Sequence, residues 1–280
     1  MSAEQELLQV IQQKLVDDTL TLPTLPDVAL KVRQQTEMAN VSLKSIADII
    51  SQDPALAARV VKVANSAFMG RSIKVSTLSQ AVTRIGLTQI RNIVIAMALE
   101  QIFMTQDKAL QDQLAWQWQR NIQITSIAVA CLAFYNRQNQ ENVLLLDVIT
   151  LAGLVHNIGA LSLIQEISLC KDTLGDSRFL QHVSAKLAPT ISEKILRSWH
   201  FHDDIIDVAV NWRQLKPNAD HVSYTDFIRL AMIAKDQYED KNLQQRLLNY
   251  YVKQNLVPSD KFMQEPEINM VYQNIRAVFT

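Results

Sequence analysis

The sequence predicts an all-α protein, and three observations lead to that class. Apolar residues recur at helical spacing over most of the 280 residues. Only 5 glycines are present, too few for a fold rich in tight β-turns. No two short apolar segments are joined by Asn-Gly or Asp-Gly, the strongest local signal of a β-hairpin. With 48% hydrophobic residues, the chain has enough material for a large helical core.

The N-terminal region predicts several short helices with recognisable start signals. Leu7, Ile11 and Leu15 lie on one face of a first helix. Thr24 with Asp27 three residues later predicts a capping box for a second helix. We expect the first helix to stop before Pro23.

Three further start signals follow along the chain. Ser42 is a predicted cap for a third helix, and Asp53-Pro54 combines a cap with a proline in the first turn of a fourth. Thr77 with Gln80 predicts another capping box, in a helix that ends at Gly86. The remaining helices are predicted at 89–103, 114–135, 144–159, 189–199, 204–212 and 225–238, with one or two more within 243–279.

Composition and charge exclude several classes of protein. The net charge of −1 provides no positive field to attract nucleic acid or anionic lipid. Cys131 and Cys170 form no CxxC motif, so we expect two reduced thiols in the core. No uninterrupted apolar run reaches the ~18 residues of a membrane span, and the amphipathic N-terminus does not resemble a signal peptide. We therefore expect a cytoplasmic protein without membrane contact.

The segment 77–99 has the outline of a DNA-binding helix-turn-helix. A recognition helix needs a polar face for the major groove. The second helix here carries apolar side chains all round, including Ile90, Ile93, Met97 and Leu99, which is typical of a buried helix. Core packing is therefore the favoured interpretation.

Histidines and acids are grouped in "WHFHDD" at 199–204. His200 and His202 are two residues apart, so on a helix they would point to different faces and could not share a metal. We favour a polar turn, with the two acids at the start of the next helix. The isolated His182 and His221 are interpreted as surface residues.

The segment "GLVHNIG" at 153–159 contains the most suggestive pair, His156-Asn157. A hydrolytic metal site needs three or more ligands, including a carboxylate that holds the ion. Asn157 provides only a neutral oxygen. The structural alternative is that His156 ends a buried helix and bonds a nearby backbone carbonyl. An aspartate placed at residue 157 would be costly there without a cation.

Several segments resemble one family, the HDOD domain proteins of bacteria, which are relatives of the HD phosphohydrolases. The resemblance rests on "LPTLPDVALKV", "IADIISQDPALAARVVKVANSAFMG", "VSTLSQAVTRIGLTQIRNIVIAMAL", "LAGLVHNIGALSL" and "ISEKILRSWHF". It extends from about Leu22 to about Trp212. It implies an N-terminal helical subdomain packed on a degenerate HD-like helical core. We divide the chain into an N-terminal helix at 1–21, an HDOD domain at 22–212 and a C-terminal helical extension at 213–280.

The resemblance also implies where a catalytic relative would hold its metal. The matching positions here are Arg120 or Asn121, then His156 with Asn157, then Asn211, Trp212 and Arg213, and finally Met232. Since one ligand of the set remains, we expect no metal, no cofactor and no catalytic residue. The residues most suited to bind something in its place are named the HD pocket here, and they are Arg120, Asn121, His156, Asn157 and Trp212.

The implied function is a non-enzymatic module of bacterial signal transduction that acts through a protein partner, with room for a small-molecule ligand. Two alternatives remain open. One is a residual metal-dependent phosphohydrolase that uses His156 with His200, His202, Asp203 or Asp204. The other is a nucleic-acid-associated regulator with a basic patch of Lys62, Arg71, Lys74, Arg84 and Arg91. The net charge makes nucleic acid the less favoured partner.

Overall fold

A computed structural model describes residues 3–65, 74–105, 107–140, 143–168, 177–217 and 221–279. These residues form helices and contain no β-strand, which confirms the predicted all-α class. The helices are α1 Ala3–Val16, α2 Asp27–Glu37, α3 Leu43–Ile50, α4 Pro54–Ala64, α5 Leu78–Ile85, α6 Leu87–Ile102, α7 Lys108–Gln138, α8 Leu146–Val155, α9 Gly159–Ser168, α10 Ser177–Ser198, α11 Asp203–Asn211, α12 Tyr224–Ala234, α13 Lys241–Lys253 and α14 Pro266–Phe279, with a 3₁₀ turn at Phe262–Gln264.

Three predicted helix starts are confirmed by their hydrogen bonds. Ser42 and Ser45 form a reciprocal capping box before α3, and Thr77 with Gln80 forms one before α5. Asp53 accepts a backbone hydrogen bond from the first turn of α4. Each cap satisfies an N–H that the helix cannot bond internally, so the local sequence specifies these ends directly.

Two predicted helix starts are wrong. The helix α2 begins at Asp27 after Pro26 and has no side-chain cap, so Thr24 lies too far upstream to reach its free N–H groups. The helix α10 begins at Ser177 and contains Pro189 in its interior, instead of starting there. A proline inside a helix costs about 3 kcal/mol, and the buried packing of α10 against α9 outweighs that cost.

The N-terminal helices pack on the HD-like core through specific polar contacts. Lys14 of α1 pairs with Glu166 of α9 at 2.6 Å. Arg33 of α2 donates to the carbonyl oxygen of Trp199 at 2.5 Å, and the Trp199 indole donates to the carbonyl of Pro23 at 3.2 Å. These contacts tie both α1 and α2 to α9, α10 and the turn after it.

The segment that resembles a helix-turn-helix is a core element, as predicted. Gly86, at φ 82°, separates α5 from α6, and the two helices meet at 114°. Every residue of α6 from 92 to 99 is buried. A helix covered on all sides cannot enter a DNA groove, so this part of the interpretation is confirmed.

A single hydrophobic cluster runs from Ile11 to Phe279 and includes residues of the C-terminal extension. Arg137 of α7 pairs with Glu267 of α14, which packs along α7. Six residues predicted to be buried on apolar stripes are all buried, namely Leu56, Val60, Ile93, Met97, Leu151 and Leu154. Cys131 is also buried, and burial raises the pKa of its thiol. Cys170 lies outside the described residues.

The stretch Leu146–Ile167, comprising α8 and α9, is long and apolar enough to cross a membrane. It contains Asp147, His156 and Asn157 and so is not an uninterrupted apolar run. The same stretch is 89% buried inside the protein, as fits a central core element. Its apolar character follows from contact with α7, α10 and α11 on several sides.

Candidate functional site

His156 is the first residue after α8 and is fully buried. Its Nδ1 lies 2.5 Å from the carbonyl oxygen of Gly153, which can only accept, so Nδ1 carries the proton and donates. Burial lowers the pKa of His156 from 6.5 to about 3, and the positive charges of Arg120 and Arg213 act in the same direction. The ring is neutral, and the interpretation of a histidine that ends a buried helix is confirmed.

Two glycines hold the turn around His156 against its neighbours. A Cβ on Gly153 would lie 2.6 Å from Oγ1 of Thr125 in α7, and a Cβ on Gly159 would lie 2.3 Å from the carbonyl oxygen of Ala188 in α10. The Gly159 N–H also donates to Oγ of Ser192 at 2.9 Å. The α8–α9 turn lies so close to both helices that no side chain would fit at either glycine.

Asn157, where a catalytic relative has an aspartate, is held by an arginine. Nη2 of Arg213 donates to Oδ1 of Asn157 at 2.5 Å, and the same guanidinium lies 4.1 Å from the ring centroid of Trp212. The Trp212 indole N–H donates to the carbonyl oxygen of His156 at 3.0 Å, and the Tyr238 hydroxyl donates to that of Trp212 at 2.8 Å. These hydrogen bonds hold the start of the α11–α12 loop against the α8–α9 turn.

The helix α7 contributes the other side of the HD pocket. Nδ2 of Asn121 donates to the carbonyl oxygen of Leu154 at 3.1 Å, and its Oδ1 accepts from Gln117 at 3.2 Å. The Arg120 guanidinium lies 5.6 Å from the ring centroid of Trp116, which is 60% exposed. Asn121 is therefore structural, whereas Arg120 lies at the solvent edge of the pocket.

Arg120 and Arg213, named the arginine pair here, have no carboxylate partner within the part of the chain that the structure describes. Burial and, to a lesser extent, the charge of Arg120 together lower the pKa of Arg213 to about 10. Burial also lowers the pKa of Arg120. Three buried nitrogens around the pocket have no hydrogen-bond partner: Arg120 Nε, Arg213 Nη1 and His156 Nε2.

The structure brings all five predicted HD-pocket residues to one place, and it adds others that the sequence prediction left out. Arg213 belongs to the segment that the resemblance matches to a histidine pair of the catalytic relatives. Of that segment, only Trp212 was assigned to the HD pocket. Gln117 lies one turn before Asn121 on the same helix face, and this spacing predicts a contact between the two side chains. No sequence pattern predicts the contact of Tyr238, because that contact depends on the conformation of the α12–α13 loop.

The residues present do not fit a divalent metal ion. Within the described ranges, no three His, Cys, Asp or Glu side chains are grouped closely enough to hold one. The position of the missing carboxylate is bonded instead to the Arg213 guanidinium, a positive charge that repels a cation. Met232, at the position matched to the last ligand, is a buried apolar residue of α12.

The ligand set of the phosphohydrolase alternative is not assembled. His200, His202, Asp203 and Asp204 are exposed, whereas His156 is fully buried. The His202 ring accepts from the Asp204 N–H at 3.4 Å, as a cap of α11. The interpretation of 199–204 as a polar turn is confirmed. His182 and His221 are exposed, as predicted.

The basic patch of the nucleic-acid alternative is partly used inside the fold. Arg84 donates to the carbonyl oxygen of Ala64 at 3.2 Å, and Arg91 pairs with Asp147. Lys62 and Lys74 are exposed. Arg71 lies outside the described residues. Two of the four described cations therefore make structural contacts rather than presenting charge to a partner.

Comparison with known proteins agrees with this architecture. The family model of the HDOD domain matches residues 22–214 of the sequence, so the chain belongs to the HDOD domain family. A crystal structure from Shewanella amazonensis SB2B, provisionally described as a metal-dependent phosphohydrolase, is 36% identical, with all of both chains covered and a TM-score of 0.89. One from Marinobacter aquaeolei VT8, provisionally described as a signal transduction protein, is 20% identical over 98% of this chain and 66% of that one, at a TM-score of 0.61.

A relative of uncharacterised function from Treponema pallidum (strain Nichols) is 27% identical over 144 residues. The match covers 51% of this chain and 26% of the relative. The matched half of this chain therefore spans about a quarter of that longer protein.

Proposed function

We propose that this chain is a non-enzymatic regulatory module of bacterial signal transduction, located in the cytoplasm, which acts by binding rather than by catalysis. The observation that carries the proposal is the hydrogen bond from Arg213 to Asn157. A metal phosphohydrolase needs an anionic oxygen at this position to hold the ion and to lower the pKa of its bound water. Here the oxygen is neutral and already accepts from a cation.

The electrostatics around His156 also support the proposal. A histidine that ligates a metal offers one ring nitrogen to the ion, and the other is held by a second group. Nδ1 of His156 is used by Gly153, so Nε2 would be the ligand. The positive charges of Arg120 and Arg213 both act on this ring, and they would raise the energy of a divalent cation bound to it.

A second candidate function is a metal-dependent phosphohydrolase. It is favoured by the 36% identity, over the full length, to the Shewanella amazonensis protein with that provisional description. It is opposed by the arginine pair and by the absence of any grouped metal-ligand set in the described residues. On balance the side-chain chemistry of this chain favours the non-enzymatic module.

One experiment separates the two candidates. The purified protein is analysed for iron, manganese and zinc, and is then assayed with each metal against generic phosphomonoester and phosphodiester substrates. We expect less than stoichiometric metal and no turnover above a protein-free control. One equivalent of tightly bound metal together with turnover would establish the phosphohydrolase. The signalling role is tested separately, by deleting the chain from its cell and comparing regulated outputs with those of a strain that carries Arg213→Gln.

A further inference from the structure

We propose that the arginine pair and the unpartnered Nε2 of His156 form a binding site for the phosphoryl group of a small molecule. The inference deepens the proposed function and rests on it, because it assigns the pocket to a ligand that is bound and not hydrolysed. It assigns a ligand class to the HD pocket.

The hydrogen-bonding state of the arginine pair points to a missing acceptor. A guanidinium has five N–H donors and no acceptor, so it needs oxygen atoms around it when it leaves water. Arg213 uses Nη2 on Asn157, but its buried Nη1 has no partner, and neither does the buried Nε of Arg120. An anion placed between the two side chains would supply those oxygens and the missing negative charge.

A phosphoryl group fits these donors better than a carboxylate does. A carboxylate has two oxygens, and one bidentate guanidinium fork engages both of them. A terminal phosphoryl group has three acceptor oxygens and carries about −1.5 to −2 charges near neutral pH, so it can accept from Arg120 and Arg213 together. Nε2 of His156 is an acceptor, since the proton is on Nδ1, and it suits the remaining P–OH of a singly protonated phosphate.

The burial of these residues indicates the side from which a ligand would approach. His156 is fully buried, whereas both arginines are only partly covered. The exposed ring of Trp116 lies next to Arg120 at the outer edge. A phosphoryl group would enter from this edge, with its carrier left towards the tryptophan.

The first test is a calorimetric titration of the purified full chain at low salt with inorganic phosphate, with pyrophosphate and, as the carboxylate comparison, with acetate. We expect saturable binding of the two phosphorus anions, at least roughly tenfold tighter than that of acetate. No saturable binding of phosphate or pyrophosphate overturns the proposal, and so does acetate binding of equal strength.

Three variants assign the binding to this site. Asn157→Asp places a fixed negative charge against Arg213 and should weaken pyrophosphate binding by roughly tenfold or more, as should Arg120→Gln. Arg246→Gln removes an exposed arginine on α13 and should leave binding unchanged. Unchanged binding in Asn157→Asp, or equal loss in Arg246→Gln, would overturn the assignment. Should Arg120→Gln fail to fold, as read from its melting curve, Asn157→Asp decides the question.

The outcomes also separate this proposal from the one it rests on. Metal-dependent turnover by the wild-type protein would refute the non-enzymatic function and this inference with it. A protein that neither turns over substrate nor binds phosphate or pyrophosphate would retain the non-enzymatic function but lose the phosphoryl site.

Discussion

Two buried arginine sites in this protein are built in opposite ways. Arg229 of α12 is 4% exposed and lies against Asp226, whose Oδ1 accepts from Arg229 at 3.3 Å and from the Tyr251 hydroxyl at 2.9 Å. The other carboxylate oxygen of Asp226 accepts from the Ser223 N–H at 2.9 Å. Arg229 therefore has a carboxylate of opposite charge beside it, although its own Nε has no hydrogen-bond partner among the described residues.

The arginine pair has no such counterpart. Arg120 and Arg213 face the same histidine, repel one another, and have no carboxylate among the described neighbours. The buried Arg229 is thus supplied with an acid. Within the described part of the chain the HD pocket lacks such an acid, and this difference is the one on which the proposed phosphoryl site rests.

The largest expected effect comes from breaking the structural pair. Asp226→Asn should lower the free energy of unfolding by about 3–5 kcal/mol, because it leaves Arg229 buried without a counter-charge. Urea unfolding at neutral pH measures the change. The control is Asp236→Asn, since Asp236 pairs with Lys241 at the exposed surface and its loss should change stability little. Equal effects of the two substitutions would contradict the comparison.

The second effect is the pH dependence due to His156. Its pKa is about 3 in the folded protein, below the ordinary 6.5, so the unfolded chain binds a proton that the folded chain does not bind between those values. Its contribution to stability is thus complete above pH 6.5 and is lost as the pH falls towards 3. The slope approaches about 1.4 kcal/mol per pH unit, or about 2 kcal/mol between pH 6.5 and pH 5.

Urea unfolding of the wild type and of His156→Gln over this pH range measures that slope. The variant should show a shallower dependence whatever its absolute stability. The exposed His202 is the matched control, and His202→Gln should retain the wild-type slope. A slope that is unchanged in His156→Gln would mean that the ring is protonated in the folded state.

A smaller effect is expected from removing one member of the arginine pair. Arg120→Gln takes away a partly buried charge that has no carboxylate partner and repels Arg213. We expect stability to be unchanged or raised by up to about 1 kcal/mol in phosphate-free buffer. Arg229→Gln, in contrast, should be clearly destabilising because it leaves Asp226 unpaired. Thermal melting of both variants in one buffer tests this opposition.

The smallest effect concerns Asn157→Asp. From the sequence alone, an aspartate here is expected to be costly because no cation would offset its desolvation. The structure places Nη2 of Arg213 2.5 Å from Oδ1 of Asn157, so we instead expect a gain of up to about 1 kcal/mol at neutral pH. This gain should disappear at acid pH as the aspartate becomes protonated. Metal-dependent turnover by this variant, assayed with manganese and iron, would show that the site is one residue from catalysis.

Much of the fold was predictable from local sequence. Caps such as Ser42 and Asp53, and the apolar stripes of α4, α6 and α8, act over a few residues, so their outcome does not depend on distant parts of the chain. The identity of His156-Asn157 and the family segments were also visible directly. They predicted which residues lie around His156, and the loss of the metal-ligand set stays a prediction.

Local sequence did not predict that Pro189 lies inside a helix. It also did not predict which residue forms a hydrogen bond with Asn157. Asn157 and Arg213 are 56 residues apart, and their contact forms only when the helices around the α8–α9 turn pack together. The contact exists because Gly153 and Gly159 let the α8–α9 turn approach α7 and α10, which positions the turn beneath Trp212. Hydrogen bonds act over about 3 Å, so their partners depend on small differences in helix packing that no local pattern of residues encodes.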